Sequence, residues 1–156
     1  MISFDMISRS LFLGSCPKSV VDVDRIHSSL KISAVLNLQT DEDFPAWDVD
    51  FAAVQQRYVE AGIELVRVPI LDWDEADLRV RLANAIDVLA ELIAAEHRVY
   101  VHCTAGVGRA PATVIGYLAL HENMSVEQAV AFVEERRRIK PYVAAIEDVV
   151  AARVAS

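Results

Sequence analysis

The chain has 156 residues, 54% hydrophobic and 24% charged, with a formal net charge of −8, which suits one globular domain over residues 1–156 with a single core. The negative charge argues against nucleic acid and against anionic membrane surfaces, which both select basic faces, and no apolar stretch approaches the ~20 residues that cross a bilayer. Residues 1–5 lack the basic start and apolar run of a signal peptide, and two cysteines make no disulfide framework, so a reducing cytoplasm is the expected compartment.

In chain order, residues 10–13 form a short apolar strand. Residues 17–29 read as a helix opened by Pro17, with Val20, Val23 and Ile26 on one face. Residues 32–38 form an apolar, partly alternating strand, and residues 40–48 an acidic loop. Asp50 is placed to cap a helix that runs to Ala61 and ends at Gly62. Residues 63–68 alternate apolar and charged positions as a strand does. Asp77 is the expected cap of a long helix over residues 78–96, with Leu78, Leu82, Ala85, Leu89 and Leu92 as its buried stripe. Residues 98–102 read as a strand and 110–122 as a helix. Ser125-Val126-Glu127-Gln128 is a capping box opening a helix to about residue 138, and a last helix follows Pro141. Alternating strands and helices predict an α/β fold with a largely parallel central sheet.

Chemistry concentrates in residues 99–111, Val-Tyr-Val-His-Cys-Thr-Ala-Gly-Val-Gly-Arg-Ala-Pro. A cysteine where a strand ends and a helix begins sits under unpaired N–H groups and the positive end of a helix dipole. Such a setting brings a thiol from about 8.5 down to roughly 3.5–7.5, so that the thiolate exists at neutral pH. Gly106 and Gly108 let the backbone of residues 104–108 curl so that successive N–H groups face one anion. Arg109 adds a bidentate fork for phosphoryl oxygens. The pattern predicts a phosphate-transfer site, with Cys103 as nucleophile, Thr104, Ala105, Gly106, Val107, Gly108 and Arg109 binding phosphate, and His102 supporting the loop through a ring hydrogen bond. No histidine has metal-ligand spacing, and neither a metal nor an organic cofactor is expected.

His102-Cys103, five residues and Arg109 resemble the signature of the cysteine-dependent protein tyrosine phosphatases, and Ala105-Gly106-Val107-Gly108-Arg109 that of their dual-specificity branch. Cys103 to Pro111, Leu13-Gly14-Ser15-Cys16, Asn37-Leu38-Gln39, Asp72-Trp73-Asp74 and the run Asp77 to Leu82 resemble the plant-type glucan phosphatases. The resemblance spans about residues 11 to 148. It implies the dual-specificity phosphatase fold, a four- or five-stranded sheet flanked by helices, and hydrolysis of a phosphomonoester through a cysteinyl phosphate. The substrate it implies is a phosphoglucan, with a phosphoprotein as the alternative. A catalytically dead module that only holds phosphorylated partners is a remote third reading, because cysteine, arginine and acid are all present. A lipid phosphatase is disfavoured, since this branch places basic residues in the loop where this chain has Thr104, Ala105 and Val107.

Asp72, 31 residues before Cys103, is the expected general acid, with Asp74 next in line among four closely spaced carboxylates. Trp73 and Trp47 are expected in loops, and the resemblance implies that aromatics there pack against sugar rings; anchoring a loop is the competing role. Phe4 and Phe44 are weaker candidates of the same kind. Ala110 departs from the serine or threonine that most dual-specificity enzymes carry after the arginine, a hydroxyl linked to release of the thiolate, so slow hydrolysis of the intermediate is expected. Cys16 is either a buried residue or a redox partner of Cys103; the redox position of the plant relatives is occupied here by Asn37. Residues 134–138 read as a solvated helical face with a Glu134–Arg138 pair.

Overall fold

The apolar strand signals converge on one five-stranded sheet in a computed structural model that describes residues 1–156. Twelve elements follow in order: β1 (Phe4–Ser8), β2 (Leu11–Gly14), α1 (Val20–Leu30), β3 (Ala34–Asn37), α2 (Asp43–Ala46), α3 (Phe51–Ala61), β4 (Glu64–Arg67), α4 (Glu75–Ala94), β5 (Val99–His102), α5 (Arg109–His121), α6 (Val126–Glu134) and α7 (Val143–Ala155). The sheet order is β1-β2-β5-β3-β4. β2, β5, β3 and β4 are parallel, and β1 is antiparallel to β2, with an irregularity between Met6 and Ser8. The expected α/β architecture is therefore present.

β5 lies at the centre, so its side chains divide strictly between two cores. Val99 and Val101 face the larger cluster, covered by α4, α5, α6 and α7, while Tyr100 faces the smaller one beneath α1 and α3. The last residue of β5, His102, lies between Gly14 of β2 and Asn37 of β3. Ligands of open α/β sheets bind beyond the carboxyl ends of the strands, which is where the chain emerges after His102.

Several local expectations hold in detail. Asp50 accepts from the Ala53 N–H at the start of α3, and Gly62 ends that helix at φ 70°, a left-handed conformation open to glycine. The Ser125–Gln128 capping box is fully formed. All five members of the α4 stripe are buried, joined by Ile86.

Other expectations are corrected. β1 was not foreseen: Phe4-Asp5-Met6-Ile7-Ser8 buries only Ile7, as an edge strand can. α1 starts at Val20, which is 37% exposed, so only Val23 and Ile26 form its buried face. Asp74, not Asp77, caps α4: Asp74 Oδ1 accepts from the Asp77 N–H, while Asp77 takes the Leu71 N–H and Arg81 Nε. The acidic segment 40–48 contains the short helix α2. α6 stops at Glu134, and Arg138 makes no ion pair with it. No helix is long and apolar enough to cross a membrane.

Candidate active site

Residues 103–108 form a loop between β5 and α5 whose two sides differ. Each carbonyl is tethered: Cys103 O by His102 Nδ1 (2.9 Å), Thr104 O by the Cys16 N–H (2.9 Å), Ala105 O by Arg137 Nη2 (2.8 Å), Gly106 O by Arg137 Nε (2.8 Å), Val107 O by the Lys140 N–H (2.8 Å) and Gly108 O by the Ala112 N–H (3.0 Å). In contrast, none of the N–H groups of residues 104–109 donates within the protein. Unpaired N–H groups at a helix start make a concavity for an anion. Gly106 closes the curl at φ 71°, and a Cβ there would lie 2.6 Å from Gly14 main-chain atoms and 2.7 Å from Arg137 Nη2.

Arg109, 4% exposed, is held through its two terminal nitrogens. Its Nη1 donates to Asp43 Oδ2 (2.8 Å) and Ile70 O (2.7 Å), with Leu38 O at 3.4 Å. Its Nη2 reaches Thr104 Oγ1 (3.2 Å) and lies 3.3 Å from Asp72 Oδ2, while Nε is buried with no acceptor. A buried guanidinium N–H without a partner carries a desolvation cost that an oxyanion in the loop would remove. Thr104 Oγ1 is itself held by Gln39 Nε2 at 3.0 Å.

Asp43 is the counter-ion that a buried arginine requires. Its burial works against ionisation, but the Arg109 guanidinium and the Thr40 N–H outweigh that and hold the carboxyl below the usual range. His102 is driven the other way. Complete burial pushes its ring down to about 4, helped by the Arg109 and Arg67 charges and opposed by the bond to Cys103 O. The ring is therefore neutral at pH 7, with its proton on the donating Nδ1 and Nε2 left without a partner. Burial also pushes the Cys16 thiol up to about 11.

A cavity of about 370 Å³ opens over the loop. Cys103, Thr104, Ala105, Val107, Gly108, Arg109, Asp72, Trp73, Asp74, Trp47 and Cys16 all line it. Gly106 does not; it backs the loop against Gly14 and Arg137. Asp72 is close to Arg109 and shares its turn with Trp73, whose N–H it accepts at 3.1 Å. Trp73 is 72% exposed at φ 57° and Trp47 49% exposed, so both are free to meet a ligand. Phe44 and Phe4 are not in this wall. Phe44 is buried, stacked on Phe51 at 4.2 Å beneath the Arg67 guanidinium, and Phe4 belongs to β1. No cluster of three or more His, Cys, Asp or Glu side chains is arranged to hold a metal ion.

Three contributors went unforeseen. Asp43 was hidden in an acidic loop with no periodicity, although the need of a buried arginine for a carboxylate was a usable signal. Gln39 lay in a noted motif without a role. Arg137, in a run whose charge pattern suits a solvated helical face, has a side chain only 8% exposed.

Residues 11–151 match the family model for the dual specificity phosphatase catalytic domain. The chloroplastic phosphoglucan phosphatase LSF1 of Arabidopsis thaliana is 32% identical over 138 residues, covering 88% of this chain and 23% of that protein. The amyloplastic phosphoglucan phosphatase DSP4 of Castanea sativa is 32% identical over 153 residues, covering 96% and 40%. This chain thus spans less than half the length of these relatives. Among solved structures, PTPMT1 superposes with a TM-score of 0.78 at 21% identity over 98% of this chain and 99% of that one, a likeness of fold.

Proposed function

The chain belongs to the dual-specificity phosphatase family, and on that premise we propose that it hydrolyses phosphomonoesters through a cysteinyl phosphate on Cys103. The observation that carries this reading is the one-sided loop: six tethered carbonyls, unpartnered N–H groups facing the other way, and an Arg109 Nε without an acceptor. In the first step the Cys103 thiolate attacks phosphorus and the ester P–O bond breaks. Asp72 gives its proton to the departing oxygen. Arg109 and the loop N–H groups hold the equatorial oxygens, whose charge spreads in the transition state. In the second step water attacks the phosphocysteine, Asp72 takes the water's proton, and phosphate and thiolate separate. His102 keeps the Cys103 carbonyl turned away from the phosphate.

A phosphoglucan is the substrate class we assign. Trp47 and Trp73 present exposed aromatic surface beside the loop, suited to the apolar face of a sugar ring, and the two plant relatives are named as phosphoglucan phosphatases. A reducing compartment such as the cytoplasm suits a free nucleophilic thiol. The test is phosphate release from phosphorylated amylopectin and from a phosphotyrosine peptide, side by side, with Cys103→Ser as blank. Faster release from the glucan is expected. Preference for the peptide would reassign the substrate to phosphoprotein and leave the chemistry standing, and release from neither would overturn the reading.

A further inference from the structure

We propose that Arg137 is a positioning residue for the phosphate loop, and that β1, through Asp5 and the adjacent Ser3, is part of the same device. The proposal rests on the phosphate-site reading above and concerns how that site is held open. Arg137 comes from the turn after α6, far from the loop in sequence, yet most of its side chain is buried behind residues 105 and 106. Its donors are divided between two tasks. Nε donates to Gly106 O and Nη2 to Ala105 O, both at 2.8 Å. Nη1 donates to Asp5 Oδ2 and Nη2 also to Ser3 Oγ, both at 2.9 Å.

Turning a peptide unit so that its carbonyl faces outward turns its N–H inward. Arg137 thereby fixes two consecutive peptide units of the loop, those whose N–H groups belong to Gly106 and Val107. Without it these carbonyls have no donor in the protein, and either peptide can rotate to aim its oxygen at the phosphate. Asp5 supplies the opposing charge and Ser3 a second anchor, so the guanidinium is held from behind. Ser3 is in turn fixed to Ser15, its N–H donating to Ser15 Oγ and its carbonyl accepting from the Ser15 N–H, both at 2.9 Å. Ser3, Asp5 and β1 all precede the residues 11–151 that match the family model, so this chain's own N-terminal segment contributes to the support of the loop.

Residue 106 is glycine for its positive φ and because a Cβ would clash first with the Gly14 main chain, and then with the Arg137 fork behind it. α6 ends at Glu134, three residues before Arg137, which reaches the loop from the turn that follows.

The experiment is protection of Cys103 from iodoacetamide by inorganic phosphate, followed by mass analysis of the peptide carrying Cys103, in the wild type, Arg137→Ala, Arg137→Lys and Asp5→Asn. Circular dichroism and thermal unfolding establish that each variant is folded. Protection reads binding in the loop without turnover, so a variant that is merely less stable but correctly folded does not move it. In Arg137→Ala the phosphate concentration giving half-protection is expected to rise about tenfold or more, as loss of two charge-assisted hydrogen bonds implies. Arg137→Lys is expected to recover part of the loss, and Asp5→Asn to give a smaller shift in the same direction. Half-protection within about twofold of wild type in folded Arg137→Ala would overturn the proposal. Should that variant not fold, unchanged values in both Arg137→Lys and Asp5→Asn overturn it equally. A wild type that phosphate does not protect at all would instead refute the phosphate-site reading itself.

Discussion

Lowering the pH from 8 to 5 should destabilise this protein through one ring, His102. Its Nδ1 proton is committed to Cys103 O at 2.9 Å, its Nε2 has no partner, and it is shut off from water between strands β2 and β3. Burial first, then the charges of Arg109 and Arg67, take the ring from its ordinary 6.5 to about 4. Because the folded state holds the proton more weakly than the unfolded chain, the contribution to stability is complete above pH 6.5 and is lost as the pH falls toward 4. The full span corresponds to roughly 3 kcal/mol, of which about 2 kcal/mol is gone by pH 5. Urea unfolding at both pH values, in wild type and in His102→Gln, isolates the effect. Every other group is common to the two proteins and cancels in the difference. The wild type should lose about 2 kcal/mol more than His102→Gln on acidification. Equal losses would refute the assignment of a neutral, buried ring.

Asp43→Ala leaves the buried Arg109 guanidinium without its closest carboxylate, and should cost about 3–5 kcal/mol in urea unfolding at pH 7; a change below about 1 kcal/mol would mean that Ile70 O and Leu38 O suffice. Asp72→Asn should slow hydrolysis of alkyl phosphates by about 10²–10⁴-fold, and of para-nitrophenyl phosphate much less, because that leaving group needs little help from an acid. A uniform effect on both substrates would remove Asp72 from proton transfer. The absent hydroxyl at Ala110, which is wholly buried, should make hydrolysis of the intermediate the slow step, seen as a burst of para-nitrophenol in rapid-quench kinetics. A linear time course, or an Ala110→Ser variant no faster than wild type, would contradict this.

Local signals were legible wherever one residue type has one physical use. The capping box at Ser125, the Gly62 stop, the α4 stripe and the strand–Cys103–loop–Arg109 run each depend on neighbours within a few positions. What stayed hidden depends on distance in the chain. Asp43 meets Arg109 across 66 positions and Arg137 meets Asp5 across 132, and neither pairing leaves a periodic trace. The α4 cap is Asp74 rather than Asp77 for a different reason. Several adjacent carboxylates compete for the same N–H groups, and the loop needs Asp77 to receive the Leu71 N–H. Trp73 and Trp47 line the cavity, while Phe44, an aromatic in the same acidic segment as Trp47, goes to packing because Phe51 and Arg67 cover it.

The central claim is a covalent phosphoryl–cysteine at Cys103. The most direct measurement is acid quenching of the enzyme during turnover of para-nitrophenyl phosphate, followed by mass analysis of the peptide that contains Cys103. The account requires that peptide to carry one added phosphoryl group in wild type and none in Cys103→Ser, with Cys16 unmodified in both. Steady hydrolysis with no phosphoryl group on Cys103, or undiminished turnover by Cys103→Ser, would contradict it.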